Sequence, residues 1–328
     1  MSQTRVIFIL GSGRSGSTLV ANLLGSVEGI TSVGELRFLW SRGLLQNRKC
    51  GCGEPFDVCP FWRDVVADAY AKVPLEAQQT SDQLARVVRM RRLPKYLSAS
   101  SDLGQMTDQS SLVDQLGRVY RAISERQNGA IVVDSSKLPT FAYLVAAVPS
   151  VDVTFIHLVR DPRAVAYSWQ RNKVLPDVAA GGTMQRLSVI KSSSLWNVWN
   201  ATAYGMRGKR RYMRIRYEDF VAAPQVAMQE MLDLVGAGDV RLPFDDAGLA
   251  LLGTTHTVAG NPSRMVRGPV AIRSDSEWEE RLPPWQRRLV TTVTAPLLPA
   301  FGYRLSPPLP RAHGVERMAP ERMKPQSA

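Results

Sequence analysis

Val6-Ile7-Phe8-Ile9-Leu10 runs directly into Gly11-Ser12-Gly13-Arg14-Ser15-Gly16-Ser17-Thr18, and then into Leu19-Val20-Ala21-Asn22-Leu23-Leu24. The first five residues are all apolar, as a strand buried on both faces must be. The last six have helical spacing. Strand, glycine-rich turn and helix together aim backbone N–H groups and a helix dipole at one point, which makes a cradle for phosphate. The spacing approaches a Walker A loop, with Gly11, Gly16 and Thr18 in register. Ser17, however, stands where the lysine that reaches the β- and γ-phosphates belongs. A cation sits inside the turn instead, at Arg14, whose guanidinium can fork onto a single terminal anionic group. The plain alternative is a strand-to-helix turn with no ligand.

Three further apolar runs end in polar clusters. Ile30-Thr31-Ser32-Val33 ends at Gly34-Glu35, Ala130-Ile131-Val132-Val133 ends at Asp134-Ser135-Ser136-Lys137, and Val153 to Val159 ends at Arg160-Asp161-Pro162-Arg163. In an open parallel sheet, residues just past the carboxyl ends of the strands face the ligand crevice. Glu35, Lys137 and Arg160 are therefore expected in one cleft with Arg14. Ser168 lies two helical turns beyond Arg160, and the pair can grip a second phosphate. Asp161 and Arg163 read equally well as a local ion pair. His157 lies mid-strand among apolar neighbours and reads as a core histidine. Tyr212 to Tyr217 is another strand, with Tyr217 placed to stack on a base or to be buried.

The 328 residues carry a net charge of +12, so an anionic partner is expected. There is no RRM, KH or zinc-finger signature, which argues against nucleic acid. The first apolar run is too short for a secretory signal, and no stretch is long enough to span a bilayer. These features predict a soluble cytoplasmic enzyme, and leave a homodimer open. The three cysteines, Cys50, Cys52 and Cys59, form an odd cluster unlike a disulfide framework. A zinc site needs a fourth ligand. The only histidines, His157, His256 and His313, lie far along the chain, so reduced thiols and no metal are expected.

The organisation follows. Residues 63–128 read as an inserted helical subdomain that walls the acceptor side, with a strongly basic helical run from Leu84 to Arg92. Residues 172–194 read as a mobile loop over the pocket. The irregular stretch His256 to Gly268, with Arg264, Arg267 and Gly268, suits an anion lid. Beyond Pro307 the Pro-rich, charged tail, 307–328, is expected to be disordered. The fold class is α/β: a three-layer, P-loop-like domain over residues 1–306, with a central, mostly parallel sheet flanked by helices.

Two phosphate grips on one sheet, without an evident Mg²⁺-holding acid, carry a specific resemblance. The chain resembles 3′-phosphoadenosine 5′-phosphosulfate (PAPS)-dependent sulfotransferases. Arg14 to Thr18 resembles that family's 5′-phosphosulfate loop, and Ser12 and Gly13 open it. Val159 to Arg163 with Ser168 resembles its 3′-phosphate motif, including the eight-residue step from arginine to serine. Arg267-Gly268 followed by Asp275 and Trp278 resembles its C-terminal 3′-phosphate lid, and Tyr217-Glu218-Asp219 a segment whose tyrosine lies by the adenine. Cytosolic members carry a catalytic histidine after a Lys-Thr pair, whereas Ser135 to Pro139 holds none. Gly34-Glu35 is instead similar to protein-tyrosine and some bacterial sulfotransferases, where a glutamate at this distance is the base. Lys137 maps, with a gap, onto the catalytic lysine.

The resemblance implies PAPS as donor, no required metal, and transfer to a hydroxyl on a carbohydrate, lipid, phenol or tyrosine. Glu35 would take the acceptor's proton while Arg14, Lys137 and the loop amides stabilise the leaving phosphate. A small-molecule kinase on the same architecture would need a lysine at position 17 and a metal-holding acid. A non-catalytic nucleotide-binding module would need neither Glu35 nor Lys137.

Overall fold

The computed structural model describes residues 3–98, 110–178, 181–208 and 210–306. The tail 307–328 and part of the insertion, 99–109, lie outside the described residues. In chain order, β1 (Thr4–Leu10) leads through α1 (Ser17–Leu24) to β2 (Ile30–Gly34). A helical insertion follows: α2 (Pro60–Ala69), α3 (Ala77–Val87), α4 (Leu93–Ser98) and α5 (Ser110–Glu125). Then come β3 (Ile131–Lys137), α6 (Pro139–Ala146), β4 (Val151–Val159), α7 (Pro162–Gln170), α8 (Val189–Gly205) and β5 (Arg211–Arg216). The chain finishes with α9 (Tyr217–Ala222), α10 (Pro224–Leu234), a small hairpin of β6 (Ala250–Leu252) and β7 (Gly268–Val270), α11 (Glu277–Arg281) and α12 (Pro284–Thr294).

The five main strands pair in parallel in the order β2-β3-β1-β4-β5. Their apolar runs are explained by cover on both faces. Along β1, Val6, Phe8 and Leu10 join one core with the insertion, α6 and part of α8. Ile7 and Ile9 join the opposite core, under α1, α9 and α10. This alternation is the two-residue strand period. The edge strand β5 is only half-buried, and carries arginines at 211, 214 and 216.

Among the described residues of 63–128 the regular elements are helices, but the basic run is not one helix. α3 stops at Val87, Arg89 is extended, and Met90–Arg92 form a 3₁₀ turn. α5 buries Leu112, Leu116, Val119, Tyr120 and Ile123, a three-and-four spacing that turns one face to the core. Tyr120 donates to Asp134 Oδ2 at 2.7 Å, tying α5 to the end of β3. His157 is the core histidine expected, bonded to Tyr212 Oη at 2.6 Å and Asn200 Oδ1 at 2.9 Å. Burial pulls its pKa down to about 4. Among the described residues, no helix is long and apolar enough to cross a membrane.

Candidate active site

β1 delivers the chain into the phosphate-type turn, and α1 carries it away. Gly16, the residue before α1, has φ 91°, and a Cβ there would meet the Tyr217 ring at 2.4 Å. Glycine is thus required both for the left-handed turn and for room. Gly16 offers no side-chain cap, so the first amides of α1 are left to an outside acceptor.

Two irregular registers aim the side chains at the strand ends. Between β1 and β3 the pairing steps from Phe8↔Asp134 to Leu10↔Lys137, so β3 carries one extra residue. Such a bulge bends the strand and turns its side chains. Asp134 Oδ1 accepts from Ser136 N at 2.8 Å across the bend. Burial pushes the Asp134 carboxyl up to about 6, with Ser136 and Tyr120 pulling the other way. β2 slips likewise against β3, between Ser32 and Gly34. Gly34 has φ 69°, and a Cβ there would strike Ala259 O at 2.5 Å. The strap 257–261 therefore passes tightly over the end of β2. Val258 N donates to Val33 O at 2.9 Å, and Glu35 N to Ala259 O at 3.1 Å.

Lys137 and Glu35 meet as a result. Lys137 Nζ donates to Glu35 Oε1 at 2.8 Å, and to Ser135 O at 2.8 Å. Arg37 Nη2 lies 3.2 Å from Glu35 Oε2. Burial pushes the Glu35 carboxyl up, but Lys137, Arg37 and Arg42 together outweigh it and hold it at about 2. Burial lowers the Lys137 ammonium, and Glu35 partly restores it. Lys137 and Arg14 hold left-handed φ of 65° and 69° without being glycine. That costs about 1–2 kcal/mol each, and such strain gathers at functional sites.

A cleft of about 580 Å³ lies over these strand ends. It is lined by Gly13, Arg14, Gly16, Ser17, Thr18, Glu35, Lys137, Arg160, Ser168 and Tyr217, so most of the expected site residues are brought together. Seven arginines and lysines face two carboxylates, Glu35 and Asp275, which suits a polyanion. Arg14 is packed over the Trp169 ring at 4.8 Å, and its Nη1 reaches only the Met184 thioether at 3.1 Å, a weak acceptor. Its Nε and Nη2 are buried without a partner, as are Arg160 Nε and the Ser12 and Ser15 hydroxyls. Buried donors are normally satisfied, so an orphaned guanidinium at the mouth of an anion loop fits a phosphate-like group.

Arg160 lies over the Tyr217 ring at 4.5 Å, and pairs with Asp275 at 2.9 Å. Its backbone is pinned, since Trp196 Nε1 donates to Arg160 O at 2.9 Å. Asp161 caps α7 and pairs with Arg163 at 2.6 Å, the local ion pair allowed for above. Ser168 is buried on α7 and faces the cleft.

Three expectations differ from the geometry. Arg264 and Arg267 do not line the cleft: Arg264 donates to Thr257 O and Lys49 O at 2.7 Å, and Arg267 to Cys52 O. These arginines are occupied by backbone carbonyls of the cysteine loop and the strap, and Gly268 opens β7 beyond them. The cleft-facing parts of this region are Gly260, Asn261 and Ser263. No described residue of 63–128 lines the cleft either. Its walls come from Arg37, Phe38, Arg42 and Arg48, and from Lys173, Leu175, Met184 and Gln185. Finally, the histidine that seemed too distant in sequence, His256, arrives beside all three cysteines.

Sequence reasoning missed Arg37, Phe38 and Arg42. Leu39–Leu45 is a π-helical turn, and Arg37 and Arg42 stack on the Phe38 ring at 3.9 and 3.7 Å. The clue was available: Arg37, Arg42, Arg48 and Lys49 crowd one short stretch of the chain just after Glu35.

The family model described as "Sulfotransferase family" matches residues 6–239. The chain belongs to this family. Among solved structures it is similar to the sulfotransferase domain from the curacin biosynthetic pathway, with 18% identity, a TM-score of 0.53, and coverage of 93% of this chain and 100% of that one. It is similar also to the sulfotransferase domain of the Synechococcus PCC 7002 olefin synthase, with 20% identity, a TM-score of 0.53, and coverage of 93% and 97%. At these identities the likeness bears on the fold. No curated protein matches the chain.

Proposed function

We propose that this sulfotransferase uses PAPS as donor, and that Glu35 is the general base for an acceptor hydroxyl. The support is a single cleft that holds orphaned cationic donors at one end and a buried carboxylate at the other. PAPS supplies a sulfuryl group carried on a phosphate, with anionic groups at both ends of the nucleotide. Arg14, Ser17, Thr18 and the first amides of α1 hold the 5′ end. Arg160 and Ser168 hold the 3′-phosphate. Tyr217, beneath Arg160 and lining the cleft, would lie beside the adenine.

Glu35 is ionised at neutral pH, so it can accept a proton. With Lys137 on Oε1 and Arg37 on Oε2, it is a weak base. An anion drawn into the cleft competes for Lys137. As Lys137 turns toward it, one Glu35 oxygen is freed and burial raises the carboxyl's proton affinity. Lys137 then stands with Arg14 as fixed positive charge for the departing phosphate. Arg37, Phe38 and Arg42 surround the Glu35 end of the cleft, which favours an acceptor carrying an anionic group beside its hydroxyl.

The test is a thermal melt with adenosine 3′,5′-bisphosphate, with ATP plus Mg²⁺, and with neither. The bisphosphate is expected to raise Tm, by the equivalent of about 2.7 kcal/mol at one hundred times Kd. Stabilisation by ATP plus Mg²⁺ alone would mark a kinase instead. Transfer of labelled sulfate to acceptors in an extract then separates an enzyme from a binding module.

A further inference from the structure

Away from the cleft, the chain closes a second cluster of chemically reactive groups. Cys50, Cys52 and Cys59 lie on the loop between the π-helical turn and α2, and His256 lies on the chain leading into the strap beside β2. Cys52 Sγ is 3.7 Å from Cys59 Sγ. His256 Nδ1 is 3.4 Å from Cys59 Sγ and 3.8 Å from Cys50 Sγ. The four ligand atoms all fall within 4.8 Å of one another.

These separations have a simple geometric meaning. A tetrahedral zinc ion, with bonds of about 2.3 Å to sulfur and about 2.0–2.1 Å to nitrogen, has edges of about 3.8 Å between sulfurs and about 3.6 Å between sulfur and nitrogen. The three short distances match those edges. A disulfide needs sulfurs about 2.05 Å apart, and all three cysteines are free. Thiolate with imidazole in a four-fold cage is the donor set that selects zinc among common divalent ions.

The surroundings hold the cluster in place. The Phe61 ring stacks on His256 at 4.6 Å with an interplanar angle of 16°, and Trp62 Nε1 donates to His256 O at 2.9 Å. Gly51 N donates to Thr257 O at 2.9 Å, and a Cβ on Gly51 would meet Thr257 Oγ1 at 2.3 Å. Only glycine lets the loop lie this close to the strap. Three thiolates and Zn²⁺ leave one net negative charge. Arg267, and Arg264, which also pairs with Asp177 at 3.3 Å, reach the backbone of this loop and place positive charge beside it.

We propose that Cys50, Cys52, Cys59 and Nδ1 of His256 bind one zinc ion in a closed, structural site. Four protein ligands leave no open position for substrate, so the ion's role is architectural. Three S–H bonds break as three Zn–S bonds form, the protons pass to solvent, and no redox partner is involved. The bond joins the loop before α2 to the strap that accepts from Glu35 N. The metal therefore fixes the backbone that carries Glu35.

The full chain, expressed with zinc in the medium and dialysed into metal-free buffer without chelator, should retain about one zinc per chain by elemental analysis. Cys59→Ser and His256→Ala should each lose most of it, while Asp57→Asn, a loop neighbour, should keep it. If a ligand variant fails to fold, two wild-type measurements decide. A strong chelator should lower Tm, and cobalt substitution should give the thiolate charge-transfer band of a tetrahedral site. Wild-type protein that folds with no more than traces of metal, shows no cobalt band, and presents thiols whose reaction rate zinc does not change would overturn the proposal. Metal content is read without donor or acceptor, so this result stands or falls separately from the transferase reading.

Discussion

The two ends of the cleft are built on opposite principles. At the Arg14 end, buried donors have no partner: Arg14 Nε and Nη2, Arg160 Nε, and the Ser12 and Ser15 hydroxyls. At the Glu35 end the carboxylate itself is paired, with Lys137 on one oxygen and Arg37 on the other, though Arg37 Nε is left without a partner. An open end costs folding free energy, because each desolvated orphan forfeits about 1–3 kcal/mol. At the closed end the pairing offsets the desolvation of the buried charges, so the carboxylate is held ready but occupied. The difference teaches how one cleft can bind first and react second. The open end recruits an anion, and Lys137 is the group that both ends compete for.

The largest test of this contrast falls on the closed end. Glu35→Gln keeps the shape but removes the proton acceptor. Its kcat for sulfate transfer should fall by about 10²–10⁴. Its affinity for adenosine 3′,5′-bisphosphate, held at the other end, should change little in a calorimetric titration. Full turnover in this variant would remove Glu35 from the chemistry.

Next comes the shared lysine. Lys137→Met should lower kcat by about 10²–10³, the cost of one preorganised charge. It should also change the pH profile in a defined direction. In the wild type, Glu35 is held at about 2, so kcat/KM should show no Glu35 limb near neutrality. With the lysine gone, burial acts on Glu35 against Arg37 and Arg42 alone, and its pKa must rise. The acid limb should move up into the measurable range, with activity lost as pH falls through it. An unmoved limb would mean that Lys137 does not govern Glu35.

The same contrast runs through what the sequence could reveal. Glycine, arginine and small hydroxyl residues at strand exits are local signals, so β1, the turn, Glu35, Lys137, Arg160 and Ser168 were legible as crevice residues. Arg264 and Arg267 were misread because an arginine in an irregular loop looks the same whether it faces a ligand or a backbone carbonyl. Only the path of the loop decides, and that path depends on Gly51 fitting under Thr257. His256 was dismissed for its distance along the chain, but the strap pairs with β2 through Val33 and returns it to the cysteines. Arg37 and Arg42 were hidden by a 3₁₀ turn, Leu36–Phe38, running into the π-helical turn, since neither period matches the templates used to read helices and strands.

The smallest effect sharpens the account of the open end. Arg160 is not wholly orphaned there: Asp275 Oδ2 holds its Nη2 at 2.9 Å, with the Asp275 side chain 35% exposed. An incoming phosphate must displace this carboxylate or sit beside its charge, and both oppose binding. Asp275→Asn should therefore tighten adenosine 3′,5′-bisphosphate, not weaken it. A pair this open to water is worth about 0.5–1 kcal/mol after screening, so the gain should be about two- to fivefold and should shrink as salt is added. If the variant binds more weakly, Asp275 is instead orienting the guanidinium. The open end would then be preorganised by the very carboxylate that neutralises it.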